Sequence, residues 1–222
     1  MEYRLVIGDK RWSSWSLRAW LAMRQAGLPF REIAVGLRRP DTRAQALRHS
    51  PAGRVPVLLV GEEAVWDSLA IIEYLAEAHP QAGLWPADRM ARARARSVAA
   101  EMHAGFAPLR EHCSMDLLER RPMAGLPEAV AADVRRIIAS WRDCRRRYGS
   151  PGPFLFGAFT AADAMYAPVA TRFRTYLPDL APYGDDGTAK AYAEALLALP
   201  AMAEWEAGAR AEAAAGLAPA SG

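Results

Sequence analysis

Strand-forming patterns fill the first third of the chain and then stop. Residues 3–7, 30–35, 57–60 and 64–66 are short runs rich in β-branched and aromatic side chains. Gly61-Glu62 closes the last two runs as a hairpin. Between them, residues 16–26 carry Leu17, Trp20 and Leu21 on one helical face and end at Gly27. Residues 42–47 and 68–78 read as two more helices. From Pro86 onward only helical patterns remain: 87–118, 128–148, 161–176 with Pro168 as a kink point, 189–197 and 201–214. This order predicts an α/β unit of the form βαβ-α-ββ-α over residues 1–83, a mixed sheet with helices on its faces. An all-α domain follows over residues 87–216, joined through Leu84-Trp85-Pro86. The alanine-rich end, residues 217–222, reads as a frayed tail.

Composition narrows the function classes. The 222 residues are 52% hydrophobic and 24% charged, ordinary for a globular protein and unlike a disordered one. No apolar run approaches the roughly 18–20 residues of a membrane span. Glu2, Arg4, Asp9 and Lys10 surround the first strand, which argues against a secretory leader. Cys113 and Cys144 have no metal-ligand or CxxC spacing, so a cytoplasmic setting without a metal is expected. The net charge of +3 comes from scattered arginines interleaved with acids, which fits solvated helix faces better than nucleic-acid binding.

Two short stretches point to a ligand. Gly53-Arg54-Val55-Pro56-Val57 enters an apolar strand through a proline, which offers no N–H to a ladder. A cis Val55–Pro56 bond would turn the backbone of Val55 outward, leaving its N–H and C=O to pair with an extended peptide. Trp66-Asp67-Ser68 opens the next helix, where free N–H groups and the helix dipole favour a carboxylate. Farther on, Thr160 and Asp163 have capping-box spacing and read as a structural helix start.

With Val55-Pro56 ahead of the hairpin, Asp67-Ser68 after it and a helical second half, the chain resembles the glutathione S-transferase family over nearly its whole length. The resemblance implies a thioredoxin-like domain that binds glutathione and a helical domain that supplies much of the second-substrate pocket. It also implies a homodimer and a small electrophile as partner. Val55 would pair with the cysteinyl backbone, held by Pro56. Asp67 and Ser68 would take the γ-glutamyl amino and carboxylate groups. Arg54 would add a contact, and Arg39, Arg43 or Gln45 would hold the glycyl carboxylate. Trp12, His103, Phe106, Arg110 and Met115 are candidates for the second-substrate pocket, with core packing the competing reading for Phe106 and Met115.

The reacting residue of such enzymes lies between the first strand and first helix, here Arg11-Trp12-Ser13-Ser14-Trp15-Ser16-Leu17-Arg18. No cysteine is present, which argues against thiol-exchange chemistry, and Tyr3 comes too early for a tyrosine-type enzyme. The Ser-Ser-x-Ser pattern is similar to the zeta class and to bacterial serine-type transferases, except that zeta members have Cys where this chain has Trp15. A serine before a helix reads first as an N-cap. Ser13 lies five residues before Arg18, the spacing of the resembled patterns, so it is favoured as the thiolate partner. Ser14 is second, and Ser16 is expected to cap. A free thiol titrates near pH 8.5, and lowering that by ~2 units requires about 2.7 kcal/mol, within reach of one hydrogen bond plus a helix terminus. The expected function is glutathione conjugation or glutathione-dependent peroxide reduction. The alternatives are a cis–trans isomerase like maleylacetoacetate isomerase and a non-catalytic binding protein on the same scaffold.

Overall fold

In the computed structural model, which describes residues 2–216, the sheet has the order β2-β1-β3-β4. Its strands are β1 (Tyr3–Gly8), β2 (Phe30–Val35), β3 (Val57–Val60) and β4 (Glu63–Trp66). β1 runs parallel to β2 and antiparallel to β3, with Tyr3 facing Phe30 on one side and Val60 on the other. Leu5, Val6 and Ile7 of this central strand are buried, which accounts for an unbroken apolar run in place of alternation. The β3–β4 hairpin turns at Gly61, whose φ of +61° suits glycine. Helices α1 (Ser14–Gln25), α2 (Thr42–Leu47) and α3 (Ser68–Ala78) complete the unit.

The second half contains α4 (Arg89–Ala104), α5 (Ala107–His112), α6 (Glu128–Tyr148), α7 (Ala161–Tyr176), α8 (Thr188–Leu197) and α9 (Pro200–Ala214). The single helix expected over 87–118 is two helices. Gly105 ends the first in an extended conformation, Phe106 takes a left-handed φ of +59°, and Pro108 sits in the first turn of the second. The helix at 161–176 runs unbroken through Pro168. The tail expected at residues 217–222 lies outside the described residues.

α7 is the axis of the helical half. Almost every side chain on it is buried, and it packs against α1, α4 and α8. Five alanines on this helix let its neighbours approach closely, as a helix buried all round requires. Its start is fastened by Asp163, which accepts hydrogen bonds from the Thr160 N–H (2.7 Å), the Thr160 hydroxyl (2.8 Å), the Leu155 N–H (3.1 Å) and the Tyr192 hydroxyl (2.9 Å). The expected capping box is present within this network.

The two halves share one core. Trp20 of α1 meets Trp205 of α9 edge-on at 5.0 Å, and the Ala161 N–H donates to Leu84 O (2.7 Å) at the junction between them. α9 also reaches the loop after β1: the Trp205 indole donates to Lys10 O (2.8 Å), and Glu212 accepts from the Lys10 N–H (2.8 Å). That loop, leading into α1, carries the serines.

Candidate active site

The turn into α1 orders three serines into different tasks. Ser13 is the N-cap: its Oγ accepts from the Ser16 N–H (3.3 Å) and its hydroxyl donates to Ser16 Oγ (2.7 Å). Ser16 Oγ in turn accepts from the Gly8 N–H (3.0 Å) at the end of β1. This chain of bonds ties strand to helix and occupies the Ser13 proton. Ser16, expected to cap, is instead the link between Ser13 and β1, because its position in the first turn points it back toward the strand end. Ser14 is the first residue of α1, and among the described residues its hydroxyl has no hydrogen-bond partner.

Trp15, the residue after Ser14, lines a cavity of about 630 Å³, within the size range of small-ligand sites, and neither Ser13 nor Ser14 is on its wall. Arg54, Val55, Pro56, Asp67 and Ser68 all line it, joined by Trp15, Arg43, Ala52 and Trp66. The Val55–Pro56 bond is cis. Neither the N–H nor the C=O of Val55 is hydrogen-bonded among the described residues. Asp67 caps α3 with φ at +77°, and its Oδ1 accepts from the Leu69 N–H (2.8 Å) and Ala70 N–H (3.4 Å). Its Oδ2 lies 3.2 Å from His103 Nε2, on α4 of the helical half. The hydroxyl of Ser68 is buried without a partner. An unpaired backbone segment at Val55, a carboxylate and an unpartnered hydroxyl at a helix N-terminus therefore line one cavity, a set of groups that suits an amino-acid head group on an extended peptide.

Of the candidates for the glycyl carboxylate, Arg43 is the one on this cavity. Gln45 is turned to Asp41 (2.7 Å), and Arg39 lies by the Gly36 backbone. Of the second-substrate candidates, His103 and Arg110 gather around Trp15. The His103 ring meets it edge-on at 5.2 Å, and the Arg110 guanidinium lies 5.5 Å from the indole. His103 thus touches both Trp15 and Asp67, two residues of the cavity wall, without itself lining the cavity. Trp12 stands off it, stacked between Arg11 and Arg38 at 5.1 and 5.2 Å. Phe106 and Met115 belong to the buried core.

Beneath Trp15 lies a group that sequence reasoning used only as a spacing marker. Arg18 is fully buried, its guanidinium 4.2 Å from the Trp15 ring, and none of its three side-chain nitrogens has a hydrogen-bond partner. Burial, with Arg172 and Arg110 nearby, pulls its pKa down to about 9. The cysteines contribute no chemistry here. Both are buried, and burial pushes the Cys144 thiol up to about 11. Another cavity of similar size, about 640 Å³, opens near α6 and α8, where Arg142 pairs with Asp186 and Arg146 with Asp143. No described helix is long and apolar enough to cross a membrane.

Two family profiles match, "Glutathione S-transferase, N-terminal domain" over residues 12–78 and "Glutathione S-transferase, C-terminal domain" over residues 127–209. The chain belongs to the glutathione S-transferase family. Within the family, the maleylacetoacetate isomerase of Rhizobium meliloti is 35% identical over 133 residues, covering 60% of this chain and 61% of that protein. Across the first curated relatives the chain spans between 50% and 61% of their length. A bacterial maleyl pyruvate isomerase of the zeta class, solved in its holo form, superposes with a TM-score of 0.68 at 25% identity, covering 94% of this chain and 98% of that one. A glutathione transferase homolog from Burkholderia, solved with bound glutathione, shares the fold at a TM-score of 0.70 and 24% identity over 95% and 99% of the two chains. As in other members of the glutathione S-transferase family, a thioredoxin-like unit leads a helical domain.

Proposed function

We propose that this chain is a glutathione transferase that holds glutathione in the cavity between Val55 and Asp67 and directs its thiolate at an electrophile. The observation that carries the reading is the unpaired backbone of Val55 beside the Asp67–Ser68 helix start, together with the unengaged Ser14 hydroxyl at the positive end of α1. In this reading Val55 pairs with the cysteinyl unit, Asp67 and Ser68 hold the γ-glutamyl group, and Arg43 holds the glycyl carboxylate, with Arg54 beside it. Ser14 donates to the sulfur, and the α1 terminus adds its dipole. The serine forms no covalent bond to substrate. The thiol proton leaves to solvent, and the sulfur is then poised to attack carbon or a peroxide oxygen.

A second reading shares the same thiolate. The maleylacetoacetate and maleyl pyruvate isomerases among the relatives favour glutathione-dependent cis–trans isomerisation, in which the sulfur adds to a double bond, allows rotation and leaves again. Calorimetric titration with glutathione, followed by assays with an aryl halide, an organic hydroperoxide and maleylpyruvate, separates these. Binding with turnover of any one substrate is the expected result. No binding at millimolar glutathione sinks both readings and leaves a non-catalytic role.

The setting proposed is cytoplasmic, which suits two free buried thiols, and the assembly a homodimer. Trp66 and Met90 stand 46% and 67% exposed, large apolar groups that a second copy would cover. Sedimentation at micromolar concentration should give twice the chain mass, and a single-chain mass would count against the dimer.

A further inference from the structure

Arg18 violates the rule that buried charges are paired. It is fully buried and its Nε, Nη1 and Nη2 meet no acceptor. Two cations, Arg172 on α7 and Arg110 on α5, act on it most strongly, opposed by the Asp67 carboxylate and Tyr166 of α7. Arg172 is itself buried and bonded only to carbonyls, those of Cys113 (2.9 Å) and Pro168 (3.1 Å). His103 completes the surroundings through its contact with Trp15. Positive charge is thus in excess at the seam between the domains. In the ligand-free protein such a group lowers stability, and a neutral side chain of similar volume would pack there better.

The position of Arg18 indicates what this charge awaits. It follows Ser14 by four residues, so both lie on one face of α1, separated by a single turn. The Trp15 ring covering the guanidinium is also a wall of the cavity. We propose that Arg18 is the counter-charge of the glutathione thiolate, a positioning residue that acts on the sulfur at Ser14 through the face of Trp15 without touching it. The inference rests on glutathione being the ligand. It adds to the serine hydroxyl a second, deeper source of thiolate stabilisation.

The test uses Arg18→Met and Arg18→Gln in the whole protein. The thiolate absorbance of bound glutathione is followed against pH, and S-methylglutathione, which has the same recognition groups and no thiol, serves as control. In both variants the thiol pKa should rise by about one unit, roughly threefold less thiolate at neutral pH. S-methylglutathione should bind within about twofold of the parent. The ligand-free melting temperature of Arg18→Met should stay level or increase, a result that a merely structural arginine would not give. An unchanged thiol pKa with intact S-methylglutathione binding overturns the proposal. So does failure of both variants to fold, because the charge would then be part of the scaffold. Weaker binding of the second substrate with an unchanged thiol pKa also overturns it, and assigns the cation to that substrate. Failure of the parent to bind either peptide is a different result, and removes the glutathione reading itself.

Discussion

Ser14→Ala should move the pKa of the bound glutathione thiol more than one unit back toward its solution value near 8.5 and cut kcat/KM roughly 10–20-fold at neutral pH, with no loss of fold. The size follows from the chemistry. A hydroxyl hydrogen bond to a buried sulfur anion is charge-assisted, and losing it takes most of a ~2-unit shift with it. Glutathione affinity should fall far less, because the γ-glutamyl and glycyl contacts remain. Ser13→Ala should behave in the opposite way. Its hydroxyl is spent on Ser16, so its loss removes a cap worth about 0.5–2 kcal/mol and lowers the melting temperature while the thiol pKa stays near the parent value. The two variants, measured by thiolate absorbance and thermal melting, assign the roles directly. If Ser13→Ala abolishes the thiolate and Ser14→Ala leaves it, the roles are reversed, and the hydroxyl pair must open when glutathione binds.

Asp163→Ala should be the most destabilising single change in the helical half. The side chain takes four hydrogen bonds in a site closed to water, and alanine leaves the Leu155 N–H, the Thr160 N–H and the Tyr192 hydroxyl with nothing to meet. Each orphaned donor costs about 1–3 kcal/mol, so a loss above 3 kcal/mol is expected, a large part of the ~5–15 kcal/mol that holds a typical domain together. Burial raises the carboxyl pKa while the four donors work against it, so the donors are what keep the group useful as an acceptor. Urea denaturation reads the effect. A loss under 1 kcal/mol would mean that water or a neighbour replaces the carboxylate, and that α7 is not fastened at this point.

The parts of the site legible in the sequence are those written in local backbone chemistry. Val55-Pro56, Asp67-Ser68 and Thr160-Asp163 each leave a signature within four residues: a missing donor, a cap, a reciprocal cap. Contacts between distant segments leave none. His103 and Asp67 are 36 positions apart, and their meeting depends on how α4 docks on α3, so only the assembled structure brings the two together. Arg18 looked like part of a spacing rule, because a buried cation and a solvated one are the same letter. Ser13 takes the cap expected of Ser16, and Ser16 bonds to the end of β1, because the capping pattern does not say which of two nearby serines faces the strand. The break at Gly105-Phe106 was signalled by glycine and by Pro108. The run of alanine and arginine before it has helix-forming strength enough to carry a pattern reading past both.

The bonds from Trp205 and Glu212 to Lys10 have a consequence for the order in which the molecule can be completed. Two backbone groups of the loop that presents the serines take partners encoded about 200 positions later. The sheet can pair within the first third of the chain, whereas α1 takes its main packing partner, α7, from the helical half, along with α9. The serine-bearing turn is complete only when α9 has folded back onto it, so the last described helix closes a segment near the first strand.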